Sequence, residues 1–345
     1  MRGAFKQLAG FFLTAALATL APAAAADAET HPMPATEVAQ PEPSPNASVL
    51  ALPTTHDHIG RVLVPVLING QGPFRFIVDT GANHSTISPR LVRLLGLTPV
   101  ATASVVVDGI TGSAQTSFVE VKQMQTGALD FGTTLLPVVG ATVMADADGI
   151  LGAAGLSDQS LLIDFLRNRV EVAHRVDYLS RSQSIRVHAT RQGQGLIALD
   201  VSIGRIPVRA ILDTGSERSL GNLALRRALG DLRRPGGVVR LTSIYGATER
   251  VETGEIRVAP SIVVDAPTPV RINDVSIIYG DFHIFTVWGL EDRPAMVLGM
   301  DVLGTMASLS IDFKNQDVFL TSSTSVTRPL ERGAAGGGAD TSQKH

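Results

Sequence analysis

Cysteine is absent from this chain of 345 residues. That excludes a thiol nucleophile and any disulfide, so in an oxidising compartment the fold would rest on packing alone. Aromatic residues make up only 5%, which leaves Val, Leu and Ile to fill the cores. Neither sign of charge dominates, with 29 Lys and Arg against 32 Asp and Glu. Phosphate binding leans on clustered basic residues, so no nucleic-acid partner is expected. There is no Gly-x-Ser-x-Gly, no His-Glu-x-x-His and no phosphate-cradling glycine loop, and the chemistries those motifs carry are set aside with them. His56-Asp57-His58 has no third ligand nearby, so neither a metal nor another cofactor is expected.

Long apolar runs are also scarce. The stretch Leu8 to Leu20 follows Arg2 and Lys6 and precedes Ala24-Ala25-Ala26 and Asp27. A charged start, an apolar centre and a small-residue cleavage site read as a signal peptide over 1–26. The run is too short for a membrane span, so no stable membrane insertion is expected after cleavage; an uncleaved anchor is the alternative. Export would leave the mature chain periplasmic or secreted in a bacterium, with 27 basic residues against 32 acidic. Residues 27–58, rich in Pro, Ala and Thr, read as a disordered linker or pro-segment. The polar stretch 179–194 reads as a linker and 325–345, with Gly336-Gly337-Gly338, as a disordered tail.

What the chain does contain is a repeat. Asp79-Thr80-Gly81 closes the apolar run Phe76-Ile77-Val78, and Asp213-Thr214-Gly215 closes Ala210-Ile211-Leu212. One such tripeptide is ordinarily a strand followed by a turn; two in matching surroundings are a duplicated unit. Before the first, Arg61 to Ile68, a turn at Asn69-Gly70 and Phe74 to Val78 read as a hairpin. Before the second, Leu196 to Ile203, a turn at Gly204-Arg205 and Pro207 to Leu212 repeat it. After each comes a short helix signal, opened by Ser88-Pro89 and closed by Gly96, then opened by Asn222 and closed by Gly230.

A second signature is duplicated downstream. Asp148-Gly149-Ile150-Leu151-Gly152 runs on to Ile163-Asp164-Phe165, and Met296-Val297-Leu298-Gly299 runs on to Ile311-Asp312-Phe313. These elements resemble the aspartic protease superfamily, specifically its single-chain retropepsin-like enzymes, over about residues 59 to 322. The resemblance implies an all-β fold of two homologous retropepsin-like β-barrel lobes, 59–178 and 195–324, related by a pseudo-twofold with the cleft between them. A monomer whose lobes pair within one chain is expected, because a linked partner is always present at high effective concentration, although the connector is long enough for pairing between chains.

The chemistry expected follows from the motif positions. Asp79 and Asp213, within hydrogen-bond distance, cannot both ionise cheaply, so the pair holds one proton; aspartic proteases are a standard illustration of this behaviour. The ionised acid would take a proton from a water between them while the protonated one polarises the scissile carbonyl. The resemblance implies that the Thr80 and Thr214 hydroxyls bond across to the opposite lobe. Gly81 and Gly215 would let backbone amides approach the carboxylates without a Cβ in the way. The next position differs, Ala82 in one copy and Ser216 in the other. A Ser216 hydroxyl donating to Asp213 would make Asp213 the more readily ionised partner.

Two hairpins between the signatures are expected to cover the cleft, one tipped by Gly109-Ile110-Thr111-Gly112 and one by Ile244-Tyr245-Gly246-Ala247. Gly109, Ile110, Ile244, Tyr245 and Gly246 are thus candidate substrate-binding residues. The pepsin-like pattern puts its Tyr-Gly in the first lobe, so Tyr245 is read either as a flap residue or as an ordinary hairpin aromatic. The stretch Tyr279 to Arg293 is either a specificity loop or a longer strand pair. The substrate would be an extended polypeptide, bonded through its backbone with alternate side chains in apolar pockets. The activity expected is that of an aspartic endopeptidase; the alternative is a module that keeps the cleft and holds peptide without cutting it.

Overall fold

The computed structural model describes residues 50–57, 60–100, 104–140, 144–173, 184–193, 195–230, 240–248 and 251–323. The expected signal peptide over 1–26, most of 27–58 and all of 325–345 lie outside them. Within them the chain is mostly strand with a few short helices, the all-β class read from its sequence.

Each half is organised around one acid-bearing strand. In the first half, Val62–Ile68 and Gln71–Asp79 form the hairpin expected around Asn69-Gly70, with Asn69 at φ 50°. Strand Gly149–Gly152 then lies parallel to the acid strand, setting Ile150 opposite Ile77 and Gly152 opposite Asp79. Thr86–Ile87 flanks it on the far side. In the second half, Leu196–Ile203 and Ile206–Leu212 form the hairpin, Ala295–Leu298 runs parallel to the acid strand, and Leu220–Asn222 flanks it. Both short helices are capped as their sequences require: Ser88 Oγ accepts from the Leu91 amide at 3.2 Å and Asn222 Oδ1 from the Leu225 amide at 2.8 Å.

Alternation along the acid strands decides which way the acids face. Phe76 and Val78 enter the main apolar core with Ala210 and Leu212. Ile77 enters a separate cluster with Leu63 and Ile150, and Ile211 another with Leu220 and Val297. Asp79 and Asp213, one residue past the core-facing Val78 and Leu212, therefore share the faces of Ile77 and Ile211. Both line one cleft.

A six-stranded antiparallel sheet joins strands from both halves of the described chain. Its order is Leu50–Pro53, Arg169–Ala173, Ser160–Asp164, Met306–Asp312, Asp317–Ser322 and Ser184–His188. The central pair carries both Ile-Asp-Phe segments, with Leu161 opposite Ile311 and Ile163 opposite Leu309. Two expectations are corrected by this sheet. The ordered fold begins before residue 59, because Leu50–Pro53 pairs with Arg169–Ala173 and buries Leu52. And the polar stretch before Gly195 is not unstructured where it is described. Ser184–His188 pairs with Asp317–Ser322 and buries Val187, with an Arg186–Asp317 ion pair at 2.6 Å, and Thr190–Gln192 pairs with Leu196–Ala198. An edge strand presents polar residues on its exposed face, which is why its composition reads as a linker.

The stretch Tyr279 to Arg293 is not simply a longer strand pair, and its Ile284, Val287 and Trp288 line the cleft. Strand Ser276–Gly280 is followed by a five-residue helix, His283–Val287. Phe282, Phe285 and Trp288 anchor it, with an edge-on Phe285–Trp288 pair at 5.9 Å.

Candidate active site

Asp79 and Asp213 meet at the bottom of a cleft of about 830 Å³ and hydrogen-bond to each other. Asp213 is 7% exposed and Asp79 half-buried. Each carboxylate is held by its own loop in the same way. Asp79 Oδ1 accepts from the Gly81 and Ala82 amides at 2.8 and 2.9 Å, and Asp213 Oδ1 from the Gly215 and Ser216 amides at 2.8 and 3.0 Å. These donors fix one oxygen of each acid.

The threonines lock the loops together reciprocally. Thr80 Oγ1 donates to the Leu212 carbonyl at 2.8 Å and accepts from the Thr214 amide at 3.1 Å; Thr214 Oγ1 donates to the Val78 carbonyl at 2.7 Å and accepts from the Thr80 amide at 3.1 Å. All four bonds cross between the halves, in the arrangement that the resemblance implies. The glycine amides reach the carboxylates as expected, and the missing Cβ atoms also serve the opposite loop. A Cβ on Gly81 would stand 2.3 Å from Asp213 Cγ, and one on Gly215 would stand 2.2 Å from Asp79 Cγ. Each glycine makes room for the acid of the other loop, and any larger residue would push the carboxylates apart.

Ser216 requires a correction. Its hydroxyl donates to the Arg218 carbonyl at 2.8 Å, so it does not favour an ionised Asp213. Burial raises both carboxyls above their ordinary value, and the negative charge of Asp79 raises Asp213 well above it. Against that trend Asp79 is lowered first by its hydrogen bond with Asp213, then by the Gly81 and Ala82 amides, and last by the charge of Arg61. Arg61 is 4% exposed and lines the cleft, held by Asp57 through Nε at 2.7 Å and its own amide at 2.9 Å. Asp79 is therefore the acid that ionises first and Asp213 the one that keeps the shared proton. Sequence reasoning passed over Arg61 because it opens an ordinary strand; only pairing of that strand beside Asp79 gives it a role.

The second signature buttresses the acid loops. The Ala153 amide donates to the Ala82 carbonyl and the Met300 amide to the Ser216 carbonyl, both at 2.8 Å. The Gly152 amide donates to Ser85 Oγ at 3.1 Å and the Gly299 amide to Ser219 Oγ at 3.2 Å. Ser85 and Ser219 were not singled out from sequence, although both stand six residues after their acid.

The two hairpins close over the acids. Val105–Gly109 pairs with Gly112–Thr116, and Arg240–Tyr245 with Val251–Val258. Their tips touch: Thr111 Oγ1 and Thr248 Oγ1 are hydrogen-bonded at 2.9 Å, and a Cβ on Gly246 would meet Thr111 Oγ1 at 2.7 Å. Gly109 and Gly246 are buried in this contact, with Gly109 packed against Ala247. Ile110 and Ile244 line the cleft and pack on the cluster around Trp288. Tyr245 lines the cleft but is 59% exposed. The first hairpin is also tied to the opposite half, where His283 Nε2 meets Ser113 Oγ at 2.8 Å and Asp108 Oδ1 at 3.3 Å.

Two buried acids sharing a proton, with one ionised member, can deprotonate a water and polarise a carbonyl at once. Among the described residues no cluster of His, Cys, Asp and Glu could hold a metal ion. No curated protein matches this chain. Residues 64–154, which carry the first Asp-Thr-Gly loop, the first hairpin and strand Gly149–Gly152, match the family model of aspartyl protease, in the retropepsin-like clan.

Proposed function

We propose that the chain is an aspartic endopeptidase that hydrolyses peptide bonds of an extended polypeptide. The aspartyl protease family domain supports a protease-like function in general. The observation that carries the finer reading is that both Asp-Thr-Gly loops are intact and mutually fitted, each glycine shaped around the other loop's acid. A module that only held peptide would need neither the facing carboxylates nor the space cleared for them.

Asp79, ionised, takes a proton from a water seated between the acids. The resulting nucleophile attacks the scissile carbonyl carbon while Asp213 donates its proton to the carbonyl oxygen. Collapse of the tetrahedral intermediate breaks the C–N bond, with a proton delivered to the leaving nitrogen and the second returned to the pair. The two halves act as homologous lobes about a pseudo-twofold, with residues 1–26 removed on export to the periplasm or exterior. Incubating the purified mature chain with an unfolded protein should yield fragments. Asp79→Asn and Asp213→Asn should each cut the rate by about 10³-fold or more. Fragments formed equally by both variants would refute the reading.

A further inference from the structure

The two sides of the cleft floor share a strand pattern but not a chemistry. In the first half Leu63, Ile77, Ile150 and Thr86 stand opposite one another across four strands. In the second half the corresponding row is Ala198, Ile211, Val297 and Leu220. Opposed residues share a face of a sheet, so Thr86 occupies the place that Leu220 holds across the cleft. Two residues before Leu63 stands the charged Arg61; two before Ala198 stands Leu196, fully buried in an apolar cluster.

Thr86 is 8% exposed, and its Oγ1 is buried without a hydrogen-bond partner. Asn83, in the loop between the first acid and Thr86, has its Oδ1 buried without one as well. Both residues line the cleft. Buried polar atoms are nearly always bonded, and those that are not are commonly completed by a ligand or water. On the opposite side Leu220, Ile278, Ile284, Val287 and Trp288 form an apolar wall, although Ser216, Glu217, Arg218, Thr242 and Ser243 also line the cleft.

Charge narrows what the polar side can take. A carboxylate there would be drawn to Arg61 but repelled by the acid pair and the Asn83 carbonyl oxygen. An ammonium or guanidinium would be drawn to the acid pair but repelled by Arg61, so each charged side chain meets a like charge. A primary carboxamide carries no charge, accepts from the Thr86 hydroxyl and donates to Asn83. It fits whichever way the Asn83 amide is turned.

We propose that the first-half subsite selects an Asn or Gln side chain of the substrate, while the subsite walled by Trp288 selects a large apolar one. This rests on the reading of the cleft as a peptide site, and the test separates the two. Peptides whose central bond is replaced by an uncleavable reduced isostere would be scanned with Gln, Asn, Leu, Phe, Glu and Lys at each flanking position. Affinity would be measured by fluorescence anisotropy for the wild type, Thr86→Val and Thr86→Leu. One position should prefer the carboxamides over Leu by about tenfold. Thr86→Val should abolish that preference and Thr86→Leu reverse it, while affinity at the apolar position stays constant and reports an intact fold. Preference for Leu at every position, or an unchanged profile in both variants, would overturn the subsite. Cleavable versions of the same peptides give the second readout. Selective binding without cleavage would remove only the proteolytic reading, cleavage with apolar residues on both sides would remove only the subsite, and no binding of any peptide would overturn both.

Discussion

Thr80 is 1% exposed and Thr214 fully buried, and each hydroxyl both donates to and accepts from the other's loop. Valine has the same shape without the oxygen. Thr80→Val would strand the Leu212 carbonyl and the Thr214 amide in a buried site, each at a cost of about 1–3 kcal/mol. A stability loss of about 3 kcal/mol in urea unfolding is expected, with a lower rate because the acids lose their registration. The acids themselves work against stability. Both carboxyls are raised above 3.8 in the folded chain, so folding takes up protons above that pH. The fold is most stable below the unfolded value and loses stability as pH rises through the raised one. Asp213→Asn removes the group raised furthest. It should increase Tm relative to wild type at neutral pH, with the difference shrinking as pH falls toward 3.8; an equal difference at every pH would contradict this. The acids, threonines and glycines were legible because each motif occurs twice. Arg61, Asn83 and Thr86 were not, because a residue that occurs once carries no repeat, and its meaning lies in which strand lies next to it.

The hairpins, acid strands and capped helices were readable as elements from alternation and turn chemistry. Ser184–His188 was not, since one buried Val187 among polar neighbours gives too weak a period to mark an edge strand. Nor was the helix His283–Val287, too short to show a helical period, although Phe282, Phe285 and Trp288 stand three apart along one side. That helix gives the first hairpin its anchorage through Ser113 and His283. Covering hairpins must open and close around substrate, so loosening this tie should act on binding before chemistry. His283→Ala is expected to raise KM several-fold while kcat stays within about twofold, measured with a fluorogenic peptide. A fall in kcat alone would place His283 among the residues that position the acids.

At the scale of the whole molecule, the six-stranded sheet and the threonine bonds both run between the two halves of the chain. The sequence shows what is repeated but not which strands of the two copies pair, so this sheet was beyond its reach; so was the contact between the hairpin tips. Proposed pairing within one chain has a direct consequence. Asp79→Asn and Asp213→Asn, mixed in equal amounts, should remain as inactive as each alone, because neither molecule owns a complete pair. Recovery of activity on mixing would show that halves of different chains assemble. The single shared proton is tested most directly by the pH dependence of kcat/KM on one peptide substrate. The buried, coupled acids predict a bell whose alkaline limb belongs to the step that strips the proton kept by Asp213, and whose acidic limb moves to higher pH when Arg61→Gln removes the charge that favours ionised Asp79. A profile with a single ionisation, unmoved by that substitution, would contradict the account.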